Sequence, residues 1–130
     1  MKICLVGAGG GIGRQLVKTF AAVHDVSAVY RTLPQHAPGD IGLVRFGDDD
    51  ALGKAIGSSD VVVHAALDTK ARGKNFIPAN RDVTERVLSL LQPGTCRLFV
   101  YFSSQVVYAA LDPVQHPIQG EDAELIDRPG

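Results

Sequence analysis

Gly7, Gly10 and Gly13, spaced by three, follow the apolar run Ile3-Cys4-Leu5-Val6 and lead directly into a helical pattern of Ile12, Leu16, Val17 and Phe20. That combination suits the holding of a phosphate anion. A strand turning sharply into a helix leaves backbone N–H groups without partners at the helix N-terminus, where the aligned peptide dipoles add about half a positive charge. Gly7 would allow the tight turn, Gly10 would let a pyrophosphate reach the backbone at Gly11 and Ile12, and Gly13 would let helix and strand lie close together. The form is G-x-x-G-x-x-G rather than G-x-G-x-x-G, because the sixth position counted from Gly7 is Ile12. An ordinary turn of an α/β protein uses such glycines too, so the other residues have to decide.

The tip of the next strand carries the second piece of chemistry. Asp25–Arg31 reads as a strand with Val26, Ala28 and Val29 as its apolar content. At that tip of a dinucleotide site, an acidic residue takes the ribose hydroxyls and selects NAD, whereas a basic one accommodates the 2′-phosphate of NADP. Here Tyr30 and Arg31 stand at the tip and no acidic residue follows until Asp40. The planar guanidinium fork matches a phosphate, so NADP is expected over NAD; an ordinary solvated loop arginine is the other reading. Arg14 opposes the helix dipole unless an anion sits nearby, and reads equally well as a plain surface side chain.

Other candidates carry less. Asp48-Asp49-Asp50 lacks the alternating spacing of a calcium loop and reads as a helix cap, with Asp48 beside the adenine. Lys70, Arg72 and Lys74 make the loop 67–74 basic: either a solvated loop or a lip over an anionic substrate. The four histidines are scattered singly, and the two cysteines, Cys4 and Cys96, sit in apolar runs as buried, reduced thiols. Neither set has metal-ligand spacing, so no metal site is expected.

The elements that must position these residues follow from periodicity. A helix runs from the glycines to about Ala22, a third strand covers Ile41–Phe46, and a short helix covers Ala51–Ile56. Ser59–Ala66 is a fourth strand, almost purely β-branched up to His64. A long amphipathic helix spans about Phe76–Leu91, stopped by Pro93-Gly94, and Arg97–Phe102 is a fifth strand. Alternating strands and helices predict an α/β fold, a Rossmann-like doubly wound parallel sheet of order 3-2-1-4-5. Gly7, Arg31, His64, Ala65, Ala66, Ser103 and Ser104 would then share the carboxyl ends of the strands, where such sheets bind ligands. The 130 residues read as one domain with an irregular tail over about 109–130. A formal net charge of -1 gives no reason to expect nucleic acid or an anionic membrane as partner. No apolar run approaches the ~20 residues that cross a bilayer, and the first run is too short for a signal peptide, so a cytoplasmic location is expected.

These motifs resemble those of the extended or atypical short-chain dehydrogenase/reductases, the NAD(P)-dependent epimerase/dehydratase group. Val6–Gly13 matches the group's glycine motif, and Asp60-Val-Val-Val-His-Ala-Ala66 is similar to its fourth-strand signature, whose backbone at His64, Ala65 and Ala66 lines the cofactor. Asn80 sits where the family keeps a structural and active-site asparagine. Phe102-Ser-Ser-Gln-Val-Val-Tyr108 looks like the family's fifth-strand ending; by that match Ser104 orients the substrate and Tyr108 is not the catalytic tyrosine.

Two departures qualify the resemblance. The family's Tyr-x-x-x-Lys pair, the acid–base group of its reaction, is absent: no Tyr follows Tyr108 and no Lys follows Lys74. The substrate-binding C-terminal part is missing as well, which leaves the fifth strand as an edge for the tail or a second chain to cover. The resemblance therefore implies the cofactor-binding, N-terminal part of an epimerase, dehydratase or reductase acting on a sugar nucleotide or similar hydroxyl/carbonyl compound, truncated after the fifth strand. A non-catalytic dinucleotide-binding module, or a flavin or nucleoside-diphosphate binder on the same fold, remains the alternative. A homodimer through helix 76–91 or the fifth-strand edge is also expected. Incubating the chain with NADPH and a carbonyl panel should give no turnover, and a robust rate would contradict the absence of the acid–base pair.

Overall fold

A computed structural model describes residues 1–103, and Ser104, Tyr108 and the tail lie outside the described residues. Strands β1 (Lys2–Val6), β2 (Asp25–Tyr30), β3 (Gly42–Arg45), β4 (Val61–His64) and β5 (Leu98–Tyr101) form one sheet, in the order β3-β2-β1-β4-β5. All four pairings are parallel, with Val6 opposite Val29 on one side and His64 on the other. Helices α1 (Gly11–Ala21), α2 (Asp49–Gly57) and α3 (Phe76–Ser89) supply three of the four connections, and a loop joins β2 to β3. This is the expected Rossmann-like fold and strand order.

A central parallel strand must be apolar on both faces, and β1 shows why its run is unbroken. Ile3 and Leu5 point to one side, where they meet Val17 of α1 together with Val26, Ala28 and Tyr30 of β2. Cys4 and Val6 point to the other, against Leu52, Ala55 and Ile56 of α2 and Val87 of α3. Each fully buried Val, Leu or Ile contributes about 1.5–3 kcal/mol, so these two clusters are the main stabilising term for the sheet. Burial, and secondarily the nearby Cys96, pushes the Cys4 thiol up to about 12, leaving it a protonated, space-filling side chain. Cys96 is also a free thiol, but only half-buried.

Element ends differ from the expectations for local reasons. The Asp48 carboxylate caps α2 by accepting the Ala51 N–H at 3.0 Å, so the helix begins two residues before Ala51 and takes Asp49 and Asp50 into its first turn. At the far end of α3 the Leu90 and Leu91 N–H groups turn back to Val87 and Leu88, three residues earlier, so the α-helix closes at Ser89 while both leucines still pack on the core. Pro78 is tolerated early in α3 because its missing N–H falls among those a first turn leaves unpaired. Ile12, at the start of α1, is 55% exposed. Strand β5 pairs only with β4 among the described residues, and Leu98, Tyr101 and Phe102 are exposed beside it.

The turn from β1 into α1 is tightly packed. Gly7 adopts φ +95°, and a Cβ there would lie 2.6 Å from the Ala66 nitrogen and 2.7 Å from the Ala65 carbonyl carbon. Gly13 packs on the same turn: its Cβ would overlap the Gly7 carbonyl oxygen and come within 2.8 Å of the Gly7 carbonyl carbon. Both obstacles are backbone and cannot step aside. A Cβ at Gly11 meets nothing within 4 Å. Gly13→Ala should therefore destabilise the fold by about 1–3 kcal/mol, whereas Gly11→Ala should be neutral or slightly stabilising; urea unfolding of the two variants measures the difference.

Candidate functional site

The glycine turn places the N-terminus of α1 at the carboxyl edge of the sheet. Gly10 caps the helix with no side-chain hydrogen bond, and the first turn holds no acidic residue. The Gly10 N–H turns back to the Gly7 carbonyl at 3.1 Å, and the Arg14 N–H reaches the Gly10 carbonyl at 3.0 Å. Between them, the N–H groups of Gly11, Ile12 and Gly13 find no acceptor among the described residues. Backbone donors with the positive end of a helix dipole behind them make an anion site. A Cβ at Gly10 would be 3.5 Å from the Gly7 oxygen, an ordinary contact, so the space in front of the turn is free of protein.

Beside this turn lies a cleft of about 340 Å³. Gly7, Gly9 and Gly10 form one end; Tyr30, Arg31 and Thr32 come from the tip of β2; Ala65, Ala66, Leu67, Asp68 and Lys70 come from the segment after β4. Phe46 and Val83 complete the wall. Arg86 lies over the Phe46 ring at 4.8 Å and pairs with Asp49, tying α3 to the start of α2 behind that ring. Apolar walls with a few polar groups and an open anion site at one end suit a nucleotide.

A chain of hydrogen bonds braces the segment after β4. The Ala66 N–H donates to His64 Nδ1 at 3.3 Å, so the ring proton sits on Nε2, which donates to Thr84 Oγ1 at 2.9 Å. The Thr84 hydroxyl in turn donates to the Asn80 carbonyl at 3.1 Å, which fixes the same tautomer independently. Asn80 closes the brace: its Oδ1 accepts the Asp68 N–H at 2.6 Å and its Nδ2 donates to the Phe76 carbonyl at 2.9 Å. Asp68 then accepts the N–H groups of Lys70 and Ala71 on Oδ1 and faces Arg31 with Oδ2 at 3.3 Å. The Lys70 N–H has the largest effect and lowers the Asp68 carboxyl below its ordinary value; burial opposes it, and the Ala71 N–H and the Arg31 guanidinium add to the lowering. It is a carboxylate at neutral pH.

Gly7, Gly10, Arg31, Ala65 and Ala66 thus converge on the cleft, as their positions at the strand ends required. Gly11 and Ile12 present their amides at its glycine end, and Gly13 packs beneath them. Asp48, His64, Asn80 and Ser103 do not line it. Asp48 is occupied as a cap, His64 and Asn80 brace the segment that does, and Ser103 is exposed just past β5. The basic loop divides: Lys70 lines the cleft, while Arg72 and Lys74 are exposed away from it. Sequence reasoning missed Asp68, Thr84, Phe46 and Val83. Thr84 carried a signal, standing one helical turn after Asn80. Asp68, an acid just after the fourth strand, carried another.

Strand order and glycine turn define a Rossmann-like α/β fold. The chain belongs to the NAD dependent epimerase/dehydratase family, whose profile matches residues 3–129. It is similar to a short-chain dehydrogenase/reductase superfamily protein from Agrobacterium tumefaciens, solved with bound NAD (25% identity, TM-score 0.75, covering 97% of this chain and 39% of that one). It also resembles UDP-N-acetylglucosamine 4-epimerase from Bacillus cereus (21% identity, TM-score 0.70, covering 98% of this chain and 43% of that one). A third structure, MoeE5 in complex with UDP-glucose and NAD, aligns at 24% identity and TM-score 0.65, covering 83% of this chain and 38% of that one. The chain therefore spans about two-fifths of the length of these solved structures. No curated protein matches it.

Burial lowers the His64 pKa below its ordinary 6.5, and a second ring proton would face the Ala66 N–H. The unfolded chain then binds a proton that the folded chain refuses, so stability is full above about pH 6.5 and falls as the pH drops below it toward the folded value. The melting temperature should decline between pH 7.5 and 5.5, and His64→Gln should flatten that decline in a calorimetric pH series.

Proposed function

We propose that this chain is the NAD-binding part of an enzyme of the epimerase, dehydratase or reductase kind, acting on a sugar nucleotide or a similar hydroxyl/carbonyl compound. The observation that carries the reading is the row of unpartnered amides at Gly11, Ile12 and Gly13, beside a cleft that a Cβ at Gly10 would intrude upon. Those amides would hold the diphosphate, and the cleft between Tyr30–Thr32, Phe46, Val83 and Ala65–Asp68 would take the adenosine half. The cofactor, when bound, supplies hydride transfer. What this chain's residues contribute is binding and orientation, and Ser104 is assigned a substrate-orienting hydrogen bond by its place in the family's fifth-strand motif.

Arg31 suggested NADP from sequence. We propose NAD instead, because the relative that is 25% identical was solved with that nucleotide and the Arg31 guanidinium is already engaged with Asp68. The acid–base chemistry of such enzymes needs a group that these 130 residues do not contain as a Tyr-x-x-x-Lys pair, so the chain alone should bind and not turn over. The exposed apolar residues Ile77 and Leu88 on α3 favour that helix as the dimer face.

Gly10 offers a clean test, since its φ of -75° and free surroundings admit a side chain without strain. Gly10→Val should keep the circular dichroism spectrum and lose NADH affinity by on the order of a hundredfold, because the diphosphate can no longer reach several charged hydrogen bonds. Unchanged affinity in titration calorimetry would reject the site.

A further inference from the structure

The end of β2 carries no acid to receive ribose hydroxyls, yet the structure brings one there from elsewhere. Asp68, on the segment after β4, reaches across the cleft and places Oδ2 3.3 Å from the Arg31 guanidinium. Both residues line the cleft, and Lys70 is the only other charged side chain that does so among the described residues. Asp68 is not free to swing away. Its own N–H is bound to Asn80, its Oδ1 receives the Lys70 and Ala71 N–H groups, and Asn80 is anchored to the Phe76 carbonyl. Arg31, by contrast, is 58% exposed on its side chain, and among the described residues Asp68 is its only side-chain partner. The carboxylate is therefore the fixed partner and the guanidinium the mobile one.

Resting on the dinucleotide reading above, we propose that Asp68 is the residue that sets cofactor choice, by occupying Arg31 and presenting a fixed negative charge where a 2′-phosphate would bind. An arginine at this tip ordinarily welcomes the extra phosphate. Here a 2′-phosphate must draw Arg31 away from Asp68 and then sit beside the fixed carboxylate, which repels it. Ribose hydroxyls face no such penalty, because a carboxylate can accept from them. The discrimination thus comes from the loop after the fourth strand rather than from the second strand. Asn80 acts as a positioning residue in this scheme, holding the carboxylate across the cleft.

The test is titration of the 130-residue chain with NADH and with NADPH, followed by nucleotide fluorescence. The wild-type chain should bind NADH more tightly. In Asp68→Asn and Asp68→Ser the ratio of the NADPH to the NADH dissociation constant should fall by about fivefold, the upper end of what a partly exposed charge pair supports. Adding Arg31→Ala to Asp68→Asn should reverse that gain. A ratio that stays within twofold of wild type in both variants, or a wild-type chain that prefers NADPH, overturns the role of Asp68 while leaving dinucleotide binding intact. A wild-type chain that binds neither nucleotide overturns the underlying reading, and this inference with it.

Discussion

Among the glycines of the described residues, the closest packing is that of α1 on the turn it leaves, where Gly13 lies on the Gly7 carbonyl and Gly7 lies on the backbone of Ala65 and Ala66. Three pieces of main chain meet with no side chain between them. That contact fixes the angle at which α1 departs from β1, and so the direction in which its unpartnered amides face. It also fixes the neighbour: the Ala65 N–H bonds to the Val6 carbonyl at 2.8 Å, extending the β1–β4 pairing to the floor of the cleft. On the opposite side the Gly7 and Ala8 N–H groups share the Val29 carbonyl, which ties the turn to β2 as well. A strand order with β1 between β2 and β4 is the arrangement that serves both sets of bonds.

The polar side of the cleft depends on that frame without being dictated by it. His64 ends β4 fully buried, and its two nitrogens connect the segment after the strand to α3 through Thr84. A buried imidazole satisfied at both nitrogens, and edge-on to Tyr101 with ring centroids 5.3 Å apart, is a rigid strut rather than an acid or base. Asn80 continues the strut to Asp68, and Asp68 to Arg31. Stiffness built into β4 and α3 is thereby delivered to a carboxylate on a loop. The charges at this end of the cleft line it themselves, and residues that do not line it hold the carboxylate in place.

What the sequence made legible was whatever depended on periodicity and on backbone. The apolar run of β1, the β-branched run of β4 and the glycine spacing predicted strand order and turn, because burial on both faces and close backbone approach leave few residue types possible. Side-chain pairings across the cleft were not legible. Arg31 and Asp68 lie 37 positions apart, and their meeting depends on where two loops point, which no local pattern encodes. The cap at Asp48, a local contact with the Ala51 N–H three residues on, was by contrast legible. His64 was placed at the cleft by its strand, whereas its side chain turned toward α3.

The most direct measurement of whether the first turn of α1 receives a diphosphate is a nuclear magnetic resonance titration of the isotope-labelled 13.8 kDa chain with NADH. The amides of Gly9 to Gly13 should move most and saturably, together with those of Ala65 to Asp68 across the cleft. Saturable binding that leaves the Gly10, Gly11, Ile12 and Gly13 amides unmoved would contradict it.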